Sequence, residues 1–219
     1  MNNSKRNIAL VTGASRGLGY EVAKLLAQKG IHIIGLARTV GALESLSDEI
    51  KEGNGTSTMV PIHLENDAEL NNLTKMIFDR WKKIDILVHC ASIATPMSPV
   101  VAVSFKDFDK SLAINTRATL KLIHNFDPLI RVSNLKTVIF LDDQHKGKFL
   151  CTYSASKSAT REIIYSYKEE SRRIGANVII FTPKPMPTSL RARFYPGEDR
   201  NKLSSCLSQA KLLISQANL

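Results

Sequence analysis

The chain has no hydrophobic run long enough to cross a membrane. A membrane-spanning helix needs about 20 consecutive, mostly apolar residues, and no segment of the sequence approaches that length. The N-terminal MNNSKRN is charged, but the apolar stretch that follows it, residues 8–11, is too short for a signal peptide. We therefore expect a cytoplasmic protein whose first strand begins at Ile8.

Cysteine is also scarce. The three cysteines, Cys90, Cys151 and Cys206, are odd in number and far apart in the sequence, which argues against a disulfide framework. None of their spacings is typical of a zinc site, and we expect no bound metal. Reduced thiols in a cytosolic protein are the simplest interpretation.

Aromatic residues make up only 6% of the chain. The 30 Lys and Arg residues against 20 Asp and Glu residues give a net charge of +10, which could attract nucleic acid, anionic lipid or a phosphorylated small molecule. No run of basic residues with interleaved aromatics is present, however. The charge alone therefore does not indicate a nucleic-acid-binding protein, and a solvated basic surface explains it more simply.

What the sequence does contain is a regular alternation of short apolar runs with helical patterns. Continuous apolar runs are typical of parallel strands buried on both faces. Strands are predicted at residues 8–11, 31–37, 59–62, 84–90, 137–141 and 177–181, and helices at 18–29, 40–51, 67–82, 112–131, 153–173 and 201 to about 216. This order predicts a single α/β domain, a doubly wound Rossmann-type parallel sheet with helices on both faces.

The composition changes after the last predicted strand. The stretch TPKPMPTSLRARFYPGEDR holds four of the eight prolines. Long loops inside compact domains are usually functional or mobile. We therefore predict an irregular substrate-side loop at about residues 182–200, and its arginines, Arg191 and Arg193, suggest either an anionic substrate or simply an exposed basic loop.

The segment TGASRGLG follows the first predicted strand and opens the first helix. Gly13 permits the tight turn, Gly17 lets the backbone approach a ligand, and Gly19 allows close packing of helix on strand. The helix N-terminus offers unpaired N–H groups to a pyrophosphate. Because of its position between strand and helix, the segment predicts a dinucleotide site rather than an ordinary structural turn.

The end of the second strand indicates which dinucleotide is preferred. Folds selective for NAD usually place a carboxylate about 20 residues beyond the glycines, where it holds the ribose 2′-OH. Here Ala37 and Arg38 occupy the region, without a carboxylate. Arg38 and Arg16 could together clamp a 2′-phosphate, so NADP(H) is predicted over NAD(H); two solvated arginines are the alternative.

Tyr153 and Lys157, in the segment TYSASK, are four positions apart in a predicted helix. Side chains at this spacing share one helix face, with about 5–6 Å between their Cβ atoms. A phenol has a pKa of about 10, and a neighbouring ammonium group favours the phenolate and lowers that value. The pair therefore predicts a proton donor and acceptor near neutral pH, which carbonyl reduction needs.

With these motifs in this order, nearly the whole chain resembles the short-chain dehydrogenase/reductase family. TGASRGLG and YSASK match the family's two main motifs, and Asn115, in LAINTRATL, matches an asparagine that holds a water in a proton relay. PKPMPT resembles the family's P-G-x-x-x-T, whose threonine, here Thr188, contacts the nicotinamide carboxamide. The stretch from residue 182 to 203 is similar to a bacterial subgroup of oxidoreductases typified by the YciK protein.

This resemblance implies roles for individual residues. Tyr153 would protonate a carbonyl oxygen while NADPH delivers hydride to its carbon, Lys157 would bind the nicotinamide ribose and lower the pKa of Tyr153, and Asn115 would help to resupply protons. The implied cofactor-binding residues are Thr12, Gly13, Ser15, Arg16, Gly17, Leu18, Gly19, Arg38, Ala91, Lys157 and Thr188.

One departure from the family pattern affects the chemistry directly. The family serine that holds the substrate oxygen beside the tyrosine is replaced by Asp142 or Asp143. A carboxylate there would oppose the effect of Lys157 and repel a developing oxyanion. Gln144 or His145 could supply the missing hydrogen bond instead.

Other motif positions are altered as well. The usual N-N-A-G reads His89-Cys90-Ala91-Ser92, His63 stands where an aspartate touches the adenine ring, and Lys184 replaces the glycine of the late motif. We expect His89, His63 and Cys90 to be buried or satisfied side chains. The family's seventh strand, which often supports tetramer contacts, is missing; this argues against a tetramer and leaves a homodimer through the two long helices as a possibility.

Two functions follow from these patterns. The first is NADP(H)-dependent carbonyl reduction or alcohol oxidation on a small substrate. The alternative is a catalytically impaired family member that acts as a nucleotide-binding or protein-interaction module.

Overall fold

A parallel sheet of six strands organises the chain, as described by a computed structural model covering residues 6–143, 147–173 and 175–219. The strands are β1 (Ile8–Thr12), β2 (His32–Ala37), β3 (Ser57–Pro61), β4 (Ile86–His89), β5 (Thr137–Leu141) and β6 (Asn177–Phe181). They pair in parallel in the order β3-β2-β1-β4-β5-β6. The predicted doubly wound fold is confirmed, and in the described residues no seventh strand follows β6.

Helices connect these strands and cover both faces of the sheet. They are α1 (Gly17–Gln28), α2 (Val40–Glu52), α3 (Asp67–Trp81), α4 (Phe105–Ser111), α5 (Ala118–Arg131), α6 (Cys151–Ser171), α7 (Ser189–Phe194) and α8 (Cys206–Gln216). None of the described helices is both long and apolar enough to cross a membrane.

Three helical details differ from the sequence prediction. The predicted helix at 112–131 begins with a π-helical turn, Leu112–Arg117, and α4 precedes it. The predicted irregular loop contains α7, and the final helix starts only at Cys206, after a short 3-10 turn. Thr188 and Ser205 explain two of these starts, because each side chain accepts a hydrogen bond from a backbone N–H of the helix it caps.

The core lies in two layers, one on each side of the sheet. Along β1, Ile8 and Leu10 point to the layer that holds α3 and α5, whereas Ala9 and Val11 point to the layer that holds α1 and α8. This alternation follows from the two-residue period of a strand. Since both faces are buried, the strands read as continuous apolar runs, which is why the sequence predicts them well.

The strand order reverses between β1 and β4, which both lie in the middle of the sheet. At such a point the connections leave in opposite directions and open a crevice at the carboxyl ends of the strands. The TGASRGLG turn leaves β1 there, and the His89-Cys90-Ala91-Ser92 segment leaves β4 beside it.

Candidate active site

A cavity of about 480 Å³ occupies this crevice. Its walls come from the glycine turn, from the carboxyl ends of β2, β4 and β5, from α6, and from the segment around α7. All but one of the predicted site residues line it: Gly13, Ser15, Arg16, Gly17, Leu18, Gly19, Arg38, Ala91, Asn115, Tyr153, Lys157 and Thr188. Tertiary structure therefore brings the two motifs, about 140 residues apart, to one surface.

The glycine turn is built so closely that side chains cannot replace two of its glycines. Gly13 has a φ of +68°, and a Cβ there would lie 2.8 Å from the backbone nitrogen of Ala91. A Cβ on Gly19 would lie 2.5 Å from the carbonyl oxygen of Gly13. The Arg16 side chain makes no capping bond to α1, so the first-turn N–H groups can bind an anionic ligand.

Thr12 is the predicted cofactor residue that does not line the cavity. It is fully buried, and its Oγ accepts from the Ala91 N–H at 3.1 Å and lies 2.6 Å from Nδ1 of His89. His89 Nε2 lies 3.0 Å from the hydroxyl of Thr119, which donates to the carbonyl oxygen of Asn115. Thr12 therefore supports the wall behind the cavity.

His89 is a neutral structural residue. Burial, with a smaller contribution from the positive charge of Lys157, lowers its pKa to about 3. Burial likewise raises the pKa of Cys90 to about 12, which keeps it a thiol at neutral pH. The expectation of a buried, satisfied side chain is confirmed for His89, whereas Cys90 is only partly buried.

His63 differs, because its side chain is exposed and lies 3.7 Å from the Glu69 carboxylate. Among the described residues, no group of three His, Cys, Asp or Glu side chains could hold a metal ion.

Arg16 and Arg38 stand at the cofactor end of the cavity. Both are exposed, and neither forms an ion pair with the described part of the chain. Their guanidinium groups are thus available to a phosphate, as the sequence predicts. Their exposure also fits the alternative of two solvated arginines.

Tyr153 lies at the other end, with only 2% of its surface exposed. Its hydroxyl donates to Oδ2 of Asp143 at 2.7 Å. Burial, then the charge and the hydrogen bond of Asp143, hold its pKa well above the usual range, and a hydrogen bond with Ser92 opposes this only in part. Burial and Asp143 thus shift this pKa in the direction opposite to the one predicted from Lys157.

Lys157 is buried one helical turn beyond Tyr153. Its Nζ donates to the carbonyl oxygen of Leu141 at 3.0 Å. Burial lowers its pKa, and the negative charges of Asp143 and Asp142 oppose that effect. The ammonium group is thus fixed at the carboxyl end of β5, facing the cavity.

The structure assigns the two candidate aspartates to different places. Asp142 is buried and accepts from Nε of Arg161 through both carboxylate oxygens, at 3.0 and 3.1 Å. Asp143 is the residue that reaches Tyr153. Gln144 and His145, the other candidates for the missing hydrogen bond, lie outside the described residues.

Asn115 is buried in the π-helical turn, a feature that often occurs at functional sites. Its side-chain oxygen accepts from the Ile93 N–H at 2.8 Å and from the Ser92 hydroxyl at 3.1 Å. Its backbone carbonyl oxygen accepts from the hydroxyls of Thr119 and Thr160, each at 2.8 Å. Asn115 thus joins the segment after β4 to α6.

Ser92 is a candidate that the sequence reasoning missed. Its hydroxyl donates to Oδ1 of Asn115 at 3.1 Å, it opposes the rise in the pKa of Tyr153, and it lines the cavity. The family pattern places its serine after β5, so the sequence pattern alone does not single out Ser92. The available signal was topological, since Ser92 follows β4, and the ends of β4 and β5 lie side by side.

The segment around α7 covers the Tyr153 end. Phe194 packs against the Tyr153 ring, with 4.9 Å between the ring centroids. Arg191 binds Glu198 through two nitrogens, at 2.6 and 2.7 Å, and Arg193 donates to the carbonyl oxygen of Ala94 at 2.7 Å. Since Glu198 offsets the charge of Arg191, the geometry gives little support to an anionic substrate.

Thr188 stands between the two ends of the cavity. Its Oγ1 accepts from the Arg191 N–H at 3.2 Å, and a Cβ on Gly17 would lie 3.4 Å from its methyl group. The hydroxyl can still donate its own proton to an acceptor in the cavity. This position suits the predicted contact with a carboxamide.

Comparison with known proteins agrees with this geometry. The family model described as short chain dehydrogenase matches residues 7–199. A human protein named dehydrogenase/reductase SDR family member 11 is 36% identical over 98 residues, which is 44% of this chain and 38% of the relative, so this match spans well under half of that protein.

Solved structures share the fold. The oxidoreductase YciK of Escherichia coli is 23% identical with a TM-score of 0.85, over 98% of this chain and 91% of the other. A short chain dehydrogenase of E. coli CFT073, complexed with NADPH, is 23% identical with a TM-score of 0.88, over 99% of this chain and 93% of the other.

Proposed function

The chain belongs to the short-chain dehydrogenase family, and we propose that it transfers hydride between NADP(H) and a small organic substrate. Carbonyl reduction or alcohol oxidation is the reaction that the family resemblance implies. The observation that carries the proposal is one continuous cavity, with an uncapped helix N-terminus and two arginines at one end and Tyr153 beside Lys157 at the other. The described residues then act as one cofactor-binding domain.

The cofactor end fits a dinucleotide. Gly13 and Gly19 allow the turn to pack directly against the backbone of Ala91 and on itself, and the first turn of α1 points its N–H groups at the cavity. Arg16 and Arg38 fit a 2′-phosphate, because a guanidinium binds phosphate oxygens through paired N–H groups. The NADPH complex of the E. coli CFT073 structure supports the same cofactor.

The substrate end fits hydride transfer. The bound cofactor would supply the hydride, and the protein orients the reacting atoms and sets their electrostatics. Tyr153 presents its hydroxyl beside Asp143 and Ser92, Lys157 fixes a positive charge one turn away, and Phe194 limits access of water. Thr188 and Lys157 would hold the nicotinamide and its ribose.

A thermal-shift titration with NADPH and NADH tests the cofactor, since a ligand that binds only the folded protein raises its melting temperature. We expect a larger shift with NADPH. Arg38→Gln should weaken NADPH binding by about tenfold and leave NADH binding unchanged, because it removes a phosphate contact. Arg172→Gln, at an exposed position of the C-terminal end of α6, is the matched control. No shift with either nucleotide would refute the proposal.

Turnover provides the second test. Tyr153→Phe should abolish NADPH oxidation, whereas Tyr165→Phe, at an exposed position of the same helix, should leave it unchanged. Equal rates of NADPH oxidation in wild type and Tyr153→Phe would show that Tyr153 takes no part in the reaction.

One observation favours the alternative of an impaired family member. The Tyr153 proton is directed at Asp143, and the pKa of the phenol is raised instead of lowered. NADPH binding without turnover of any carbonyl, alcohol, imine or amine substrate would support a nucleotide-binding or protein-interaction module.

We also propose a cytoplasmic homodimer formed through α5 and α6. These long helices expose Leu120 and Tyr165, whose apolar surface a second copy would cover. Light scattering should give twice the mass of one chain, and Leu120→Lys should reduce it to that of a monomer.

A further inference from the structure

We propose that the substrate of this cavity is a cyclic iminium ion, or the corresponding amine in the reverse direction, instead of a ketone or an alcohol. The inference rests on the proposed hydride transfer and names the bond that receives the hydride. It is carried by the Tyr153–Asp143 hydrogen bond and by the charges around it.

The first argument concerns hydrogen-bond donors. A phenolic hydroxyl has one proton to donate, and Tyr153 donates it to Oδ2 of Asp143 at 2.7 Å. Toward the cavity the phenolic oxygen therefore acts as an acceptor. A ketone oxygen needs a donor at this place, whereas the N–H of an iminium ion supplies one itself.

The second argument concerns charge. Asp143 stands where the family has a neutral serine, so the site carries one more negative charge than the family pattern. Among the other charged side chains at this end, Asp142 is paired with Arg161 and Arg191 with Glu198, while Arg193 donates to the carbonyl oxygen of Ala94. Lys157 contributes one positive charge one turn from Tyr153, which Asp143 offsets.

At the Tyr153 hydroxyl itself, the charge in direct contact is the Asp143 carboxylate, at 2.7 Å, and this contact favours a cation over an anion. Opposite charges attract strongly at a few ångströms in a partly buried site, and like charges repel. Reduction of a ketone builds negative charge on oxygen, which the Asp143 carboxylate opposes. Reduction of an iminium ion removes a positive charge that the same carboxylate stabilises in the bound substrate.

The lining of the cavity beside Tyr153 is apolar. Ala94, Leu190 and Phe194 line it there, and all three belong to the apolar cluster that packs around Tyr153. The hydrocarbon part of a cyclic iminium ion can pack there while its N–H points at the phenolic oxygen.

The reaction balances without a proton from the protein. The hydride from the nicotinamide of NADPH forms a new C–H bond at the iminium carbon, and the π electrons of the C=N bond become the nitrogen lone pair. The iminium ion is reduced to a neutral secondary amine, and NADPH is oxidised to NADP⁺. Tyr153 and Asp143 hold the N–H throughout and are unchanged at the end.

The test compares 2-methyl-1-pyrroline, a cyclic imine that is protonated in water, with 2-methylcyclopentanone, a ketone of the same ring size. Initial rates with NADPH are measured for wild type, Asp143→Asn, Asp143→Ser and Asp109→Asn. Asp109 is an exposed residue of α4 and serves as the control for loss of one carboxylate. Binding of the product 2-methylpyrrolidine to the protein–NADP⁺ complex is measured by calorimetry.

We expect wild type and Asp109→Asn to prefer the imine, and both Asp143 variants to lose roughly tenfold or more of the imine-to-ketone ratio in kcat/KM. The affinity for 2-methylpyrrolidine should fall in the Asp143 variants by a similar factor, a readout that does not depend on turnover.

The outcomes separate the two proposals. Absence of NADPH binding would refute the proposed function itself. A protein that binds NADPH but reduces the ketone faster than the imine, or that shows no imine reduction, would overturn the inference alone. An unchanged ratio in both Asp143 variants would overturn it as well.

Discussion

The Tyr153 hydroxyl donates to the Asp143 carboxylate at 2.7 Å, and this contact opposes the effect that the neighbouring Lys157 would have. Burial and Asp143 together raise the pKa of the phenol. The motif that predicts an acidic phenol is therefore present, but a residue ten positions earlier in the chain changes its chemistry.

Ser92 should contribute to turnover, because it lowers the pKa of Tyr153 and its hydroxyl donates to Oδ1 of Asn115. We expect Ser92→Ala to lower kcat by about 100-fold, as for the loss of one positioned donor, with little change in NADPH affinity. Steady-state kinetics with varied NADPH measure both quantities. Ser98→Ala, which removes an exposed hydroxyl, is the control, and equal losses in the two variants would contradict this role.

Gly19 should not tolerate alanine, because a Cβ would lie 2.5 Å from the carbonyl oxygen of Gly13. We expect Gly19→Ala to distort the turn, lower the melting temperature and abolish the shift produced by NADPH. Gly41→Ala, in α2, meets no atom within 4 Å and should be neutral or stabilise by up to about 1 kcal/mol. Thermal shift with and without NADPH compares them; a normal NADPH shift in Gly19→Ala would show that the turn adapts.

The buried Asp142–Arg161 pair should matter for stability. Arg161→Met would leave the Asp142 carboxylate buried without its cation, which typically costs about 3–5 kcal/mol. Urea unfolding measures this loss. The double variant Arg161→Met with Asp142→Asn should recover much of it, since the carboxylate charge is then removed together with its partner. If the single variant unfolds at the same urea concentration as wild type, the pair is not important for stability.

His89 should make the protein less stable in mild acid. Its pKa is lowered to about 3 in the folded protein, against about 6.5 when unfolded. Between these values only the unfolded chain binds the proton, so the free energy of unfolding falls as the pH falls through this window, by at most about 1.4 kcal/mol per pH unit for this group.

The test is the difference in unfolding free energy between wild type and His89→Gln across that window. Glutamine can still accept from Thr12 and donate to Thr119, but it does not titrate. His32, whose pKa burial also lowers, is present in both proteins and cancels in the difference. A difference that does not vary with pH would mean that His89 is protonated in the folded state.

Most of the fold could be predicted because local patterns determine it. The strands are buried on both faces, so they appear as apolar runs, and each predicted strand overlaps an observed one. The sequence pattern did not predict α4, the π-helical turn or α7 as separate elements. In α4, Phe105 is exposed and the helix has no clear apolar stripe.

The sequence by itself determined the glycine turn, the Tyr153–Lys157 pair and the presence of two aspartates where a serine is usual. Tertiary structure alone decided what those aspartates do. Successive residues of an extended segment point to opposite sides, so Asp142 turns to Arg161 and Asp143 to Tyr153. It also brought Ser92 to the site, because β4 and β5 end side by side although about 50 residues separate them.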